Sequence, residues 1–174
     1  MIGAVDALSG DFRAFSSERS EITVDAILAS AAIPNIFRAV HTDGGVYWDG
    51  LFSQNPPVRE LPTAQPDEIW VIEINPKTRH GEPTTVAEIL DRRNELAGNL
   101  SLQQELFYIG HINDLVDSGA LAGTNYRHIT IDTISLERDL DVASKLDRDP
   151  RFLRELMELG HDEASAFLKR KRGA

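Results

Sequence analysis

The spacing of apolar positions changes several times along the chain, and each change marks an element. Gly3 to Leu8 and Phe12 to Phe15 are short apolar runs joined by Ser9-Gly10-Asp11, which predicts two strands and a turn. Ser16 to Ser20 is polar and reads as loop. Thr23 then caps a helix, with Asp25 in its first turn, where the helix dipole favours a carboxylate. Ala26, Ile27, Ala29, Ala31 and Ala32 make that helix narrow enough to pack closely. Pro34 ends it, because proline disfavours helical geometry at the residue before it. Phe37 to Val40 and Gly45 to Trp48 flank the turn residues His41-Thr42-Asp43-Gly44 and predict a hairpin.

Val58 to Leu61 reads as one helical turn closed by Pro62. Glu68 to Ile74 is the strongest strand signal: β-branched and aromatic residues succeed one another almost without a break, as in a strand covered on both faces. Trp70 within it reads as a core aromatic, and Asn75-Pro76 stops the strand. Thr85 and Glu88 are spaced as a capping box at the start of a long helix. Its apolar positions run at helical spacing from Val86 to Val116, with Gly98-Asn99 as a candidate interruption and Gly119 as the end. Asn99-Leu100-Ser101 matches a glycosylation sequon and reads as chance. Arg127 to Leu136 alternates Ile129, Ile131 and Ile134 with polar residues, which predicts a strand at a sheet edge. Asp149 as cap and Pro150 at the first position open a last helix with Phe152, Leu153, Leu156, Met157 and Leu159 on its apolar face. No repeat, low-complexity tract or linker divides the chain, which predicts one domain over residues 1–174.

Composition narrows the function classes. A length of 174 residues, 41% hydrophobic and 26% charged, suits one globular domain with a core. No apolar run reaches the length of a bilayer span, and Met1 to Asp6 lacks the pattern of a signal peptide. The absence of cysteine excludes disulfides and thiolate metal sites and fits a reducing compartment. The formal net charge of −10 argues against a nucleic-acid partner and against anchoring on anionic lipid by charge alone. The basic run Lys169-Arg170-Lys171-Arg172 reads as a solvated helix end. His80, His128 and His161 are isolated, so no calcium or zinc site and no cofactor is expected. The expected location is cytoplasmic, peripheral at a membrane at most.

The chemistry concentrates between Ala29 and Val58. The second hairpin strand runs into Asp49-Gly50, and an acid at a strand end with glycine after it falls on a loop at a sheet edge, where α/β proteins place their sites. Gly50 lets the chain turn there without a Cβ, Asn55 is placed to brace the loop, and Pro56-Pro57 stiffens it. Asp43-Gly44-Gly45 has similar residues but the wrong spacing to Asn55, and it reads as the hairpin turn.

Ala29-Ser30-Ala31-Ala32-Ile33-Pro34, Tyr47-Trp48-Asp49-Gly50 and Asn55-Pro56-Pro57 together resemble the patatin-like phospholipases, a group of lipid acyl hydrolases. The long helix carrying Arg92-Arg93-Asn94-Glu95 is similar to the region downstream of these motifs in bacterial patatin-like proteins. The resemblance implies an α/β fold, part of a three-layer α/β/α sandwich, and a Ser–Asp dyad acting on a lipid ester. In that dyad Asp49 is the acid, with Gly50 and Asn55 as supporting motif residues. Leu51 departs from the family, which usually has Gly or Ala there, and its side chain would narrow the site. The family nucleophile lies in Gly-x-Ser-x-Gly, and no serine of this chain stands in that pattern. The expectation is the C-terminal portion of a patatin-like acyl hydrolase domain, carrying the acid without the nucleophile. Its uncovered apolar surface would take an N-terminal half or a second copy. The alternative is a catalytically inactive remnant serving as an interaction or scaffold module.

Overall fold

The computed structural model describes residues 1–34, 36–58, 61, 64–136, 138, 140 and 143–173. They divide into two compact units, one of Met1–Asp67 with Leu96–Ile129 and one of Glu68–Glu95 with Thr130–Ala174. Helices and strands are mixed, as expected of an α/β protein. The turn predicted at Val58 to Leu61 involves residues outside the described ones.

In the first unit β1 (Ile2–Asp6), β2 (Phe12–Phe15), β3 (Val40–Thr42) and β4 (Gly45–Asp49) form a four-stranded sheet of order β2-β1-β4-β3. Every neighbouring pair is antiparallel. β1 is therefore an inner strand, and β2 and β3 are the edges of this sheet. The β3–β4 hairpin closes through Asp43 and Gly44, whose φ angles of 51° and 75° are the left-handed pair that a two-residue turn of type I′ requires. Its first strand starts at Val40 rather than Phe37. The Phe37 carbonyl instead accepts a hydrogen bond from Trp48 Nε1 at 3.3 Å.

Helix α1 (Val24–Ser30) lies on this sheet. Thr23 caps it as predicted, its Oγ1 accepting from the Ala26 N–H at 3.1 Å. Ala26 and Ala29 pack with Ala4, Phe15 and Tyr47, and the Phe15 and Tyr47 rings meet edge to face at 5.6 Å. The helix stops at Ser30, earlier than Pro34 alone predicts. The Ala31 and Ala32 N–H groups bond three residues back, and the Ala32 carbonyl turns away to accept from the Asp49 N–H at 3.1 Å. Val24, Ile27 and Leu28 remain exposed on this helix.

In the second unit β5 (Glu68–Glu73) and β6 (Thr130–Ser135) run parallel in register, Glu68 beside Thr130 and Glu73 beside Ser135. β5 is not covered on both faces: Ile69, Val71 and Glu73 are buried while Trp70 and Ile72 are exposed. Trp70 is 50% exposed, so it is no core aromatic; its ring meets Phe167 edge-on at 5.1 Å. Phe167 belongs to α3 (Pro150–Gly173), and half of Trp70 and most of Ile72 stay uncovered. At the end of α3, Lys169, Arg170 and Arg172 are exposed, as read from the sequence, but Lys171 is paired. Lys171 Nζ lies 2.8 Å from Asp132 and 3.0 Å from Glu68, and these carboxylates, Asp132 first, raise its pKa.

Helix α2 (Val86–Asp117) contributes to both units and runs through Gly98-Asn99 without a break. Its capping box forms, with the Glu88 N–H on Thr85 Oγ1 at 3.2 Å and the Thr85 N–H on Glu88 Oε2 at 2.9 Å. Gly119 ends the turn after it at φ 76°. At the start of α2, Arg79 pairs with Asp91 and Glu95, and Arg92 adds a second cation 3.0 Å from Glu95.

Candidate active site

Asp49 is the last residue of β4 and the cap of a short 3₁₀ turn over Gly50–Phe52. The register places it opposite Ala4 on the inner strand β1. Its Oδ1 accepts a hydrogen bond from the Leu51 N–H at 3.0 Å, and its own N–H goes to Ala32. The backbone of Asp49 is thus fixed by β1 and by the segment after α1, and its carboxylate accepts from the turn ahead. Leu51, the residue expected to narrow the site, meets the acid through its backbone N–H.

Gly50 is buried because it sits on the backbone of β1. A Cβ there would meet Gly3 C and O at 3.1 Å and Ala4 N at 3.3 Å. Local pattern ascribes this glycine to turning; close approach of two backbones is the stronger reason. Gly3 answers from the other side, where a Cβ would lie 2.9 Å from Phe12 Cε2. Nothing in the local pattern around Gly3 signals this, because the contact exists only once β1 and β2 are paired.

Asn55 lies in the next loop, ahead of a cis bond to Pro56. Its backbone N–H donates to Ser101 Oγ on α2 at 3.0 Å, so the loop is braced through the main chain of Asn55 and the hydroxyl of Ser101. In the sequence Ser101 stands out only as part of a chance sequon, and no local signal marks it as a brace. Val58, fully buried two residues after Pro56, pins the far end of the loop. Asp43 is occupied elsewhere: its carboxylate lies 2.6 Å from Arg13, which also holds Glu21 at 3.0 Å. Arg19, then the Ser16 N–H, hold the pKa of the Glu21 carboxyl at about 2.

This assembly of strand end, capped turn and braced loop runs from Ala4 to Val58. Residues 4–62 match the patatin-like phospholipase family. This stretch resembles that family. Its similarity is to a family of lipid hydrolases, and it includes Asp49, Gly50 and Asn55. No curated protein matches the sequence. Among the described residues no three His, Cys, Asp or Glu side chains converge as a metal site, and no helix is long and apolar enough to cross a membrane.

Proposed function

We propose that this chain supplies the acid of a Ser–Asp dyad for hydrolysis of a lipid acyl ester, with Asp49 in that role. The observation that carries the proposal is the placement of Asp49 inside the patatin-like stretch: its backbone N–H donates to the Ala32 carbonyl at a strand end, and its carboxylate accepts from the Leu51 N–H. A general base needs a fixed position more than a long reach. In the proposed step Asp49 takes the proton of a serine hydroxyl while the serine oxygen bonds to the ester carbonyl carbon. The carbonyl electron pair moves onto its oxygen and returns as the alcohol leaves with the proton. Water then cleaves the acyl-enzyme by the same route.

The serine comes from a segment outside these residues, since none here stands in Gly-x-Ser-x-Gly. The test is a short-chain ester assay on the chain alone and on the chain joined to a patatin-like segment bearing that motif. The chain alone should show no enzymatic turnover. The joined protein should be active, and Asp49→Asn should lower its turnover by roughly a hundredfold or more. Asp43→Asn, which removes only a turn carboxylate paired with Arg13, should leave turnover nearly intact. Inactivity of a folded joined protein would favour the scaffold reading, and equal losses at Asp43 and Asp49 would overturn the assignment of the acid.

A further inference from the structure

The parallel strands of the second unit end together, β5 at Glu73 and β6 at Ser135. Open α/β sheets hold ligands in the crevice outside the carboxyl ends of parallel strands, where loops leave a rigid edge. A cavity of about 450 Å³ lies at this end, with Glu73, Lys77, Thr78, His80, Ser135 and Arg138 in its wall. Small-molecule sites usually span ~300–1,000 Å³.

The charge of this wall runs against that of the protein. The chain carries 28 acidic against 18 basic residues, yet among the described residues of this wall Lys77 and Arg138 face one carboxylate, Glu73. That carboxylate is buried and already engaged. Its Oε2 lies 3.0 Å from Lys77 Nζ and accepts from Ser135 Oγ at 3.4 Å. Arg138 has a loose ion pair with Glu155 at 3.6 Å, and its guanidinium is braced over the Phe152 ring at 5.5 Å. Asn75 and Thr78 add uncharged donors to the same wall. An arginine fork, an ammonium group and several neutral donors around one space suit an anion with many acceptor oxygens better than one with two.

We propose that this cavity binds the phosphate group of a phosphate ester, carried by a free small molecule or by a lipid headgroup. The proposal does not rest on the hydrolase reading, because Asp49 belongs to the first unit and takes no part in it.

The test is calorimetric titration of the full chain in phosphate-free buffer with inorganic phosphate, glycerol 3-phosphate and acetate. A second arm is co-sedimentation with phosphatidylcholine vesicles, with and without phosphatidic acid. Saturable binding of a phosphate probe is expected in at least one arm. Binding of glycerol 3-phosphate identifies the free ester, and binding to phosphatidic acid vesicles alone identifies the headgroup. Arg138→Gln and Lys77→Gln should each weaken binding on the order of tenfold, as loss of a charged hydrogen-bond donor does. Arg151→Gln, an exposed arginine of α3 outside the cavity, should bind as the unsubstituted chain does. Circular dichroism confirms that each variant is folded. Absence of saturable binding in both arms, acetate binding as tightly as phosphate, or unchanged binding in both Arg138→Gln and Lys77→Gln would overturn the proposal.

Discussion

Gly50 carries the least yielding steric constraint at the candidate site. The atoms a Cβ would meet at 3.1 Å are backbone atoms of an inner strand, which cannot rotate aside. Gly50→Ala should therefore destabilise the first unit by about 1–3 kcal/mol, the usual range for overpacking. Gly3→Ala meets the Phe12 ring instead, which can move, and should cost less. Urea denaturation of both variants checks the order, and equal midpoints would show that β4 and β1 are not pressed together at this point. Asp43 and Asp49 show the same dependence on neighbours. Each precedes a glycine in the sequence, but Asp43 has φ 51° in a turn and pairs with Arg13, whereas Asp49 caps a turn at the end of a strand.

The start of α2 owes its position to charge. Glu95 is 2% exposed, and burial alone would raise its pKa; hydrogen bonds from Arg79 and Arg92 outweigh burial and hold it below the ordinary 4.5. A carboxylate with a lowered pKa contributes stability that is present above 4.5 and fades as the pH falls through the lowered value. The chain should therefore lose stability on acidification below that point. Arg79→Met removes the cation between Asp91 and Glu95 and should cost on the order of 3 kcal/mol at neutral pH. In that variant burial of Glu95 is less compensated, so its stability should rise as the pH is lowered from 7 toward 5, a range over which the unsubstituted chain should stay nearly constant. Urea midpoints measured across this range decide it, and parallel pH profiles would mean that Arg79 does not control Glu95. At the same helix start, Thr85→Ala should cost about 1 kcal/mol, the value of a capping side chain.

Across the whole molecule the notable quantity is uncovered apolar surface. Val24, Ile27 and Leu28 on α1, Trp70 and Ile72 on β5, and Ile74 just after it are all at least half exposed. Patches of this kind mark surfaces that bind something. The purified chain should self-associate or enhance the fluorescence of a hydrophobic dye, and Ile27→Glu with Leu28→Lys should reduce either signal while the helix content is kept. A monomer that leaves the dye dark would contradict this. The sequence by itself determined those elements whose signals are local. The Thr23 cap, the Asp43-Gly44 turn, the Thr85–Glu88 box and the Asp149-Pro150 start each lie within a few residues of the groups they satisfy. It also singled out the patatin-like stretch, because the motif residues of that stretch are close together in the chain. Only the tertiary structure decided which strands lie inside a sheet, since strand order depends on pairings such as β1 with β4 that no local pattern encodes. It alone decided that Ser101 braces the Asn55 loop and that Gly50 rests on Gly3, contacts between residues more than forty positions apart. The alternation along β5 was hidden for a related reason. Trp70, Ile72 and Ile74 look like core residues in sequence, and only their neighbours in space show which face of the strand is covered.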